Sequence, residues 1–532
     1  MISFNWNYPF KLRRMPIFAN NVVATSQPLA AQAGIEMLIN GGNAVDAAIA
    51  SAITLTVVEC PKNGIGSDAF AIIWDSKSAK LHGINGSGKS PRAWNYDYFS
   101  KKYTKMPLEG WDTVTVPGAV SIWVELSKKF GKLPFEKLFL PAIRYAKNGF
   151  YVSPITAEVW KSAVEKYSNY PEFGKSFLPD GSAPKAGEKF IFKEQANTLE
   201  EIAQTKGESF YRGKLAKTIA DYAKLTGGLI SENDLATHEA EWVEPISINY
   251  SGFEVHELPP NGQGIAVLMA LGILNYLDIQ KYPLDSVDCI HLQIEAMKLA
   301  FADLYHYIAD PLYMRINYED LLRPEYLSQR AKLINLKKAQ NLKYGFPKGD
   351  EGDTVYLTTA DQEGMMVSFI QSNYAGFGSG IVVPDTGISL QNRGLGFNLV
   401  KDHVNQVDGG KRPLHTIIPG FITKGSNPLM SFGVMGGTMQ PQGHLQIIIR
   451  MFVYGQNTQS ACDASRWRIL NDMEVAFEEG VNPELLGKLE DRGHKIIIRE
   501  NSEFGGAQII HKSGEGYCGV SDFRKDGQAV GF

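Results

Sequence analysis

Three stretches of this 532-residue chain hold groups able to do chemistry, and the most suggestive begins at Glu351-Gly352-Asp353-Thr354. A threonine hydroxyl is a weak nucleophile until a base takes its proton. Val355 and Leu357 alternate with Tyr356 and Thr358, which predicts a strand. Asp361-Gln362-Glu363-Gly364 signals a turn, and Met365 to Gln371 a second strand. Thr354 therefore stands at the first residue of a hairpin, where a Gly/Pro-broken linker from Lys332 to Gly352 ends. Spacing alone gives a hairpin and no more. The second stretch is Gly436-Gly437, between an apolar strand and a helical run. Two residues without Cβ can let their N–H groups converge on one oxyanion, or they can form an ordinary tight turn. The third is Gly83 to Ser90, which fits GxxxxGK[ST] letter for letter. A phosphate-binding loop needs a helix starting at its Lys. Here Pro91 follows at once, Arg92 to Lys105 has no helical period, and Asp75 is poorly placed for a Mg²⁺ carboxylate. His291, Glu295 and Lys298 share one side of a predicted helix over 291–309. The spacing suits a salt network better than a metal site, because no HExxH motif is present.

The positioning elements are legible in outline. Pro28 to Ile39 reads as a helix with Pro in its first turn and Gly41-Gly42 after it. Asn43 can cap a second, mostly buried helix over Ala44 to Val58. Ala69 to Trp74 and Ala79 to Ile84 read as strands, and helices are predicted from Val116 to Lys129 and from Pro134 to Asn148. Phe173 to Glu188, rich in Gly, Pro, Lys and Ser, reads as a surface excursion. Helices follow around 198–205 and 214–226. Pro245 to Val255 reads as one strand, with an apolar helix over 265–277. After Thr354 the chain is strand-rich, with a hairpin over 415–435 and a helix over 442–454.

Composition bounds the rest. Hydrophobic content of 44% and charge of 21% are ordinary for a globular protein. The net charge of −4 gives no reason to expect a nucleic-acid partner. Length alone suggests about three domains. Cys60, Cys289, Cys462 and Cys518 are far apart and form no CxxC pair, which fits a reducing compartment. Lys11, Arg13 and Arg14 precede no apolar run of the kind a secretory signal needs. No window offers about 18 uninterrupted apolar residues, so no membrane span is expected. A cytoplasmic location follows as the expectation.

The ordered set Gly352-Asp353-Thr354, Asp361, Phe377-Gly378-Ser379-Gly380-Ile381, Thr386-Gly387-Ile388, Asn392, Lys411-Arg412-Pro413-Leu414 and Gly436-Gly437 resembles the γ-glutamyltranspeptidase family of N-terminal nucleophile hydrolases. Gly41 to Ala48 is similar to that family's N-terminal signature, and the likeness runs from about Val22 to Phe532. It implies an α+β fold, a four-layer αββα sandwich built as one domain from two segments. In such enzymes the nucleophile's own α-amine, with an unperturbed pKa of roughly 7.7–8.0, serves as base. The nucleophile must therefore become first in its chain by self-cleavage. The bond implied is Asp353–Thr354, giving residues 1–353 and 354–532 as a heterodimer. The flexible run before Asp353 suits a segment that must be strained and then move away.

Carried over residue by residue, the resemblance makes Thr354 the nucleophile. Ser372 replaces the family threonine that bonds it, and Gly436-Gly437 hold the oxyanion. Asn392 matches the pocket asparagine, and a second family asparagine falls at Tyr374, with Asn373 one place off. Gly396 stands where a carboxylate grips the γ-glutamyl amino group. His415-Thr416 replace paired serines. Ser87, or nearby Asn85, lies where an arginine binds the α-carboxylate. With both charge partners gone and Arg393 beside Asn392, the pocket is closer to the acylase-like members, whose acyl group ends in a carboxylate. The connection Asn398 to Gly410 is short, which leaves little lid and favours water as acceptor. The expected function is a self-processing amidohydrolase that cleaves a γ-glutamyl or glutaryl-like small-molecule amide through an acyl-threonine. No cofactor or metal is implied, and a homo-oligomer is open. Two alternatives are a true γ-glutamyltransferase or glutathione hydrolase, and an uncleaved P-loop-like binding protein.

Overall fold

The computed structural model describes residues 14–341, 353–471 and 473–532. The first 13 residues, with Lys11 and Arg13, lie outside them, as does most of the Gly/Pro-broken linker, 342–352.

Two seven-stranded sheets lie face to face. One runs Gln528–Gly531, Val22–Thr25, Asp353–Ala360, Met366–Tyr374, Asp68–Asp75, Lys80–Asn85, Glu241–Val243. The other runs Ile17–Ala19, Gly516–Ser521, Ala507–Ser513, Asn427–Val434, Gly420–Lys424, Phe253–Glu257, Ile246–Tyr250. Neighbouring strands within both are antiparallel. Alternation decides the layers, because one face of each strand must find a sheet partner and the other a helix. Val22, Phe70, Ile72, Tyr356, Ile370, Phe421 and Ile510 fill the space between the sheets. Val355, Leu357, Val367 and Phe369 point outward against a helical layer that includes Ala44–Val58. Val255, Phe432 and Val434 meet a second helical layer on the far side, with Ile265–Leu274 and Val287–Tyr307. The result is the four-layer αββα sandwich.

Local chemistry explains several elements. Asn43 caps Ala44–Val58 in a capping box with Asp46, and every residue of that helix is buried. Several polar groups between the sheets are paired: Tyr356 and Ser368 share a hydrogen bond at 2.7 Å, and Thr358 and Ser431 share one at 2.5 Å.

Three local expectations change. Residues 245–255 form a hairpin, Ile246–Tyr250 and Phe253–Glu257, because Ser251 and Gly252 adopt positive φ of 52° and 82°. The 173–188 stretch is not wholly a surface excursion. It opens on the helix Pro171–Phe177, whose Phe173 and Phe177 are buried against Phe377. The helix over 134–148 is a 3₁₀ turn, Phe135–Phe139, running into Leu140–Asn148. No helix among the described residues is long and apolar enough to cross a membrane.

Candidate active site

Strand Asp353–Ala360 is interior to its sheet, so both its edges are paired. Its ladder with Met366–Tyr374 slips between Asp353 and Val355, and the slip isolates Thr354. Thr354 is only 2% exposed. Its hydroxyl donates to Ser372 Oγ at 3.2 Å and lies 3.5 Å from the Gln440 amide nitrogen, which points its N–H at it. Ser372 Oγ in turn accepts the Tyr374 N–H at 2.8 Å. That bond is made as Tyr374 turns to φ 79°, a left-handed conformation uncommon for a non-glycine residue. Thr354 and Ser372 are thus brought together as expected.

Gly436-Gly437 ends strand Asn427–Val434 and precedes helix Met439–Ile448. Gly436 has φ 112° and Gly437 φ 55°. A Cβ at Gly436 would stand 3.1 Å from Gly505 Cα. Neither glycine N–H has an acceptor among the described residues. The Gly437 carbonyl is tied back by Gln263 Nε2 at 2.9 Å, which fixes the turn. Gln440, at the start of the following helix, also accepts the Ile418 N–H at 2.9 Å, so its amide is held in one orientation.

Arg393 is 2% exposed, an unusual place for a guanidinium. Its Nη1 donates to Thr416 Oγ1 at 2.7 Å, and its plane lies over the Tyr374 ring, 5.0 Å from the centroid. Nε and Nη2 have no hydrogen-bond partner among the described residues. Burial pushes its pKa down to about 10, against the opposing pull of the Asp68 carboxylate. Asp68 is itself fully buried and sits opposite Ser372 in the sheet register. Burial pushes its pKa up to about 7, opposed by Arg393, the Gly118 and Gly88 N–H groups, and Arg412. His415 Nε2 lies 3.0 Å from Asp68 Oδ2. Burial, then Arg393 and Arg412, hold His415 well below its ordinary value. Nδ1 accepts the Ile417 N–H at 3.4 Å, so Nε2 carries the proton and donates it to Asp68.

Other expected contacts resolve differently. Both ring nitrogens of His415 already have protein partners, which leaves it none for a substrate. Asn392 also faces inward: its carbonyl accepts the Ala375 N–H at 3.1 Å and its amide donates to Leu108 at 2.9 Å. It remains in the wall of a cavity of about 390 Å³ bounded by Leu108, Tyr167, Gly376 and Leu395. Ser87 accepts from Asn261 Nδ2 at 3.0 Å and lines a separate cavity of about 350 Å³ with Lys89, His238 and Arg412. Gly396 leaves no room for a carboxylate, since a Cβ there would meet the Leu414 carbonyl at 2.3 Å.

The P-loop reading fails on geometry. No helix starts at Lys89, and the next one is Tyr96–Lys102. A Cβ at Gly88 would stand 1.5 Å from the Val116 carbonyl oxygen, and one at Gly118 would stand 1.6 Å from that of Gly86. These glycines serve a backbone crossing, and the Lys89 carbonyl accepts the Val116 N–H at 3.0 Å. On helix Val287–Tyr307 the salt network is present, with Lys298 on Glu295 at 2.8 Å. The fold adds a partner that helix spacing does not reveal: His494, 2.8 Å from His291 Nδ1. His291 Nε2 is on the Asn335 carbonyl and Glu295 accepts the Gln340 N–H, while the buried His494 Nδ1 has no hydrogen-bond partner among the described residues.

Asp68, Gln263 and Gln440 escape the sequence reading. Asp68 alone leaves a signal there, as a lone acid opening an apolar strand.

The comparisons with known proteins bear on the family and the fold. A glutathione hydrolase-like proenzyme of Bacillus subtilis is 35% identical across 98% of this chain and 100% of its own length. An oxamate amidohydrolase proenzyme of Klebsiella pneumoniae is 33% identical across 95% of this chain and 97% of its own. The crystal structure of a cephalosporin acylase from Bacillus halodurans superposes with a TM-score of 0.94 at 46% identity, covering 100% of this chain and 99% of that one. The profile of the family described as Gamma-glutamyltranspeptidase matches residues 30–532, and with the αββα sandwich this chain belongs to that family of N-terminal nucleophile hydrolases.

Proposed function

We propose that this enzyme cleaves its own Asp353–Thr354 bond and then hydrolyses a small amide whose acyl group ends in a carboxylate, of γ-glutamyl or glutaryl type. The observation that carries the reading is the buried Thr354–Ser372 hydroxyl pair at the start of an interior strand. A hydroxyl fixed there needs only a base, and cleavage creates one in the Thr354 α-amine. Attack on the substrate carbonyl forms the acyl ester on Thr354 Oγ1, and the proton passes through the amine to the leaving nitrogen. Gly436 and Gly437 carry two unspent N–H groups suited to the tetrahedral oxyanion. Water then takes the acyl group by the same steps.

Arg393 supports the acyl preference. Two N–H groups of one guanidinium, buried and unpaired, match the two oxygens of a carboxylate. Tyr374 and Thr416 hold the guanidinium in place, while Asn392 and Ser87 line two separate neighbouring cavities. The two segments, 1–353 and 354–532, remain one body. The names of the relatives as proenzymes support processing, and the oxamate and cephalosporin relatives support an amide substrate. The glutathione hydrolase-like relative favours a second reading, a γ-glutamyl donor with transfer to an amino acceptor. The four cysteines are buried and unbridged, which supports a reducing, cytoplasmic setting.

Intact mass under denaturing conditions tests the first step. Wild type is expected as two fragments that break at Asp353–Thr354, and Thr354→Ala as one chain. Full-length wild type would remove the base and with it the reading. Glutaryl- and γ-glutamyl-p-nitroanilide, each with and without glycylglycine, then separate the two acyl groups and hydrolysis from transfer.

A further inference from the structure

Arg393 does not stand alone in the acyl pocket. Asp68, Ser372's opposite number across the sheet, is close enough to interact with its charge. Asp68 Oδ1 accepts the Gly118 N–H at 2.9 Å, and Oδ2 accepts from His415 at 3.0 Å. Thr416, next in the chain to His415, accepts the Arg393 Nη1 bond. One buried cation therefore shares its surroundings with one buried acid–imidazole pair. Both Asp68 and His415 are wholly out of solvent.

Resting on the reading of Arg393 given above, we propose that Asp68, bonded to His415, is a specificity-determining positioning residue. When an acyl carboxylate occupies the free edge of Arg393, a proton from water joins the Asp68–His415 pair. The pocket then takes up an anionic acyl group and a proton together. The reason is electrostatic. In the empty pocket the Arg393 cation is the strongest charge opposing the cost of burying the Asp68 carboxylate. A bound carboxylate neutralises that cation and adds a second anion at short range, where buried charges are weakly screened. Two carboxylates around one guanidinium favour a proton on one of them, as in any close carboxylate pair. The other groups facing Asp68 are the Arg412 cation, the Gly118 and Gly88 N–H groups and the Tyr211 hydroxyl, and His415 adds its ring. Arg412 is committed to the Ser87 carbonyl at 3.0 Å and to Glu241 at 2.5 Å, so it does not take over from Arg393. Asp68 starts near pH 7, which puts the exchange in the working range.

The sign follows from linkage. The bound state holds more protons than the free state, so affinity for the anionic group falls as pH rises above about 7. Glutarate and glutaramate, as inhibitors of the processed enzyme, isolate the effect. They share the carboxylate at the reacting end and differ only at the distal end, so titration of the Thr354 amine cancels between them. Calorimetry in two buffers of different ionisation enthalpy is expected to give up to one more proton taken up with glutarate. The ratio of inhibition constants, glutaramate over glutarate, is expected to fall up to tenfold per pH unit between pH 7 and 8.5. In Asp68→Asn, checked first by mass for processing, the ratio is expected to be flat. Preference for glutarate at pH 6 with equal proton uptake for both ligands in wild type overturns the coupling and leaves the Arg393 reading standing. No preference for glutarate at any pH overturns both. The decisive comparison is in wild type, so poor folding of Asp68→Asn does not shield the proposal.

Discussion

Arg393 illustrates what a residue at this site trades. Its guanidinium is buried with Nε and Nη2 unpaired, a cost to the empty protein that a bound carboxylate would offset. A hydrogen bond to a charged partner is worth about 1.5–3 kcal/mol, or roughly 10- to 150-fold in binding. Arg393→Met is therefore expected to raise KM for glutaryl-p-nitroanilide by that factor and leave its butyryl counterpart within a few fold. Its melting temperature should fall, since Asp68 loses the cation that offsets the burial of its carboxylate. Steady-state kinetics on the two substrates, with a thermal melt, check both halves. At Thr354 the sense is reversed. Thr354→Ser keeps an oxygen to attack and is expected to retain cleavage, whereas Ser372→Ala loses the 3.2 Å partner and should slow both processing and turnover. Timed mass spectra of fresh protein separate the two variants.

At the scale of elements, the Gly436–Gly437 turn joins a strand of one sheet to the helix that brings Gln440 toward Thr354. Gly436 at φ 112° has no low-energy equivalent with a side chain, and strain of that kind costs about 1–3 kcal/mol. Gly436→Ala is expected to fold, because this cost is local, but to swing one N–H away from the oxyanion. Loss of one such donor costs roughly 10²–10³ in turnover. The expected result is a kcat lower by about that factor with KM little changed, measured on the processed enzyme. An unchanged kcat would remove this turn from the mechanism. These elements were partly legible in sequence. The strand end, the glycine pair and the following helix read off periodicity and glycine placement, as did Asn43's cap. The turn that splits 245–255 into a hairpin carried a signal, the Ser251-Gly252 dipeptide, that a single-strand reading passes over, whereas the burial of Phe173 and Phe177 in a polar stretch left none.

For the whole molecule, the two segments are interleaved. Strand Asp353–Ala360 pairs with Val22–Thr25 on one side and Met366–Tyr374 on the other, and Asp68–Asp75 follows next. Cutting before Thr354 leaves those ladders and all three apolar layers intact. Cleaved enzyme is expected to run as one species under native conditions and as two chains in denaturant, which native and denaturing mass spectrometry compare directly. Buried histidines make a second global prediction. His238 is 8% exposed, and burial, with Arg412, Arg212 and Lys89 in support, pushes its pKa down to about 3. Unfolded, it takes a proton near pH 6.5; folded, it cannot. Its contribution therefore falls as pH drops below about 6.5, by up to about 1.4 kcal/mol per pH unit. His238→Gln keeps a partner for Ser121 and removes the titration. The variant's melting temperature relative to wild type is expected to climb between pH 6.5 and 4.5, and a constant difference would refute this.

Sequence by itself determined the parts of this protein that depend on local pattern. Period and caps fixed the main helices, alternation fixed the strand that starts at Thr354, and the ordered glycine, asparagine and Lys411-Arg412-Pro413-Leu414 motifs carried the family. Tertiary structure decided everything that depends on residues far apart in the chain. It opposed Asp68 to Ser372 across 304 positions and set His415 against Asp68 across 347. It brought His494 to His291 and turned Gly86 and Gly88 from a phosphate cradle into a crossing point. Burial is the common reason. The lowered pKa of Arg393, the raised pKa of Asp68 and the neutrality of His415 follow from the loss of water around them, and no spacing along the chain reports where water ends.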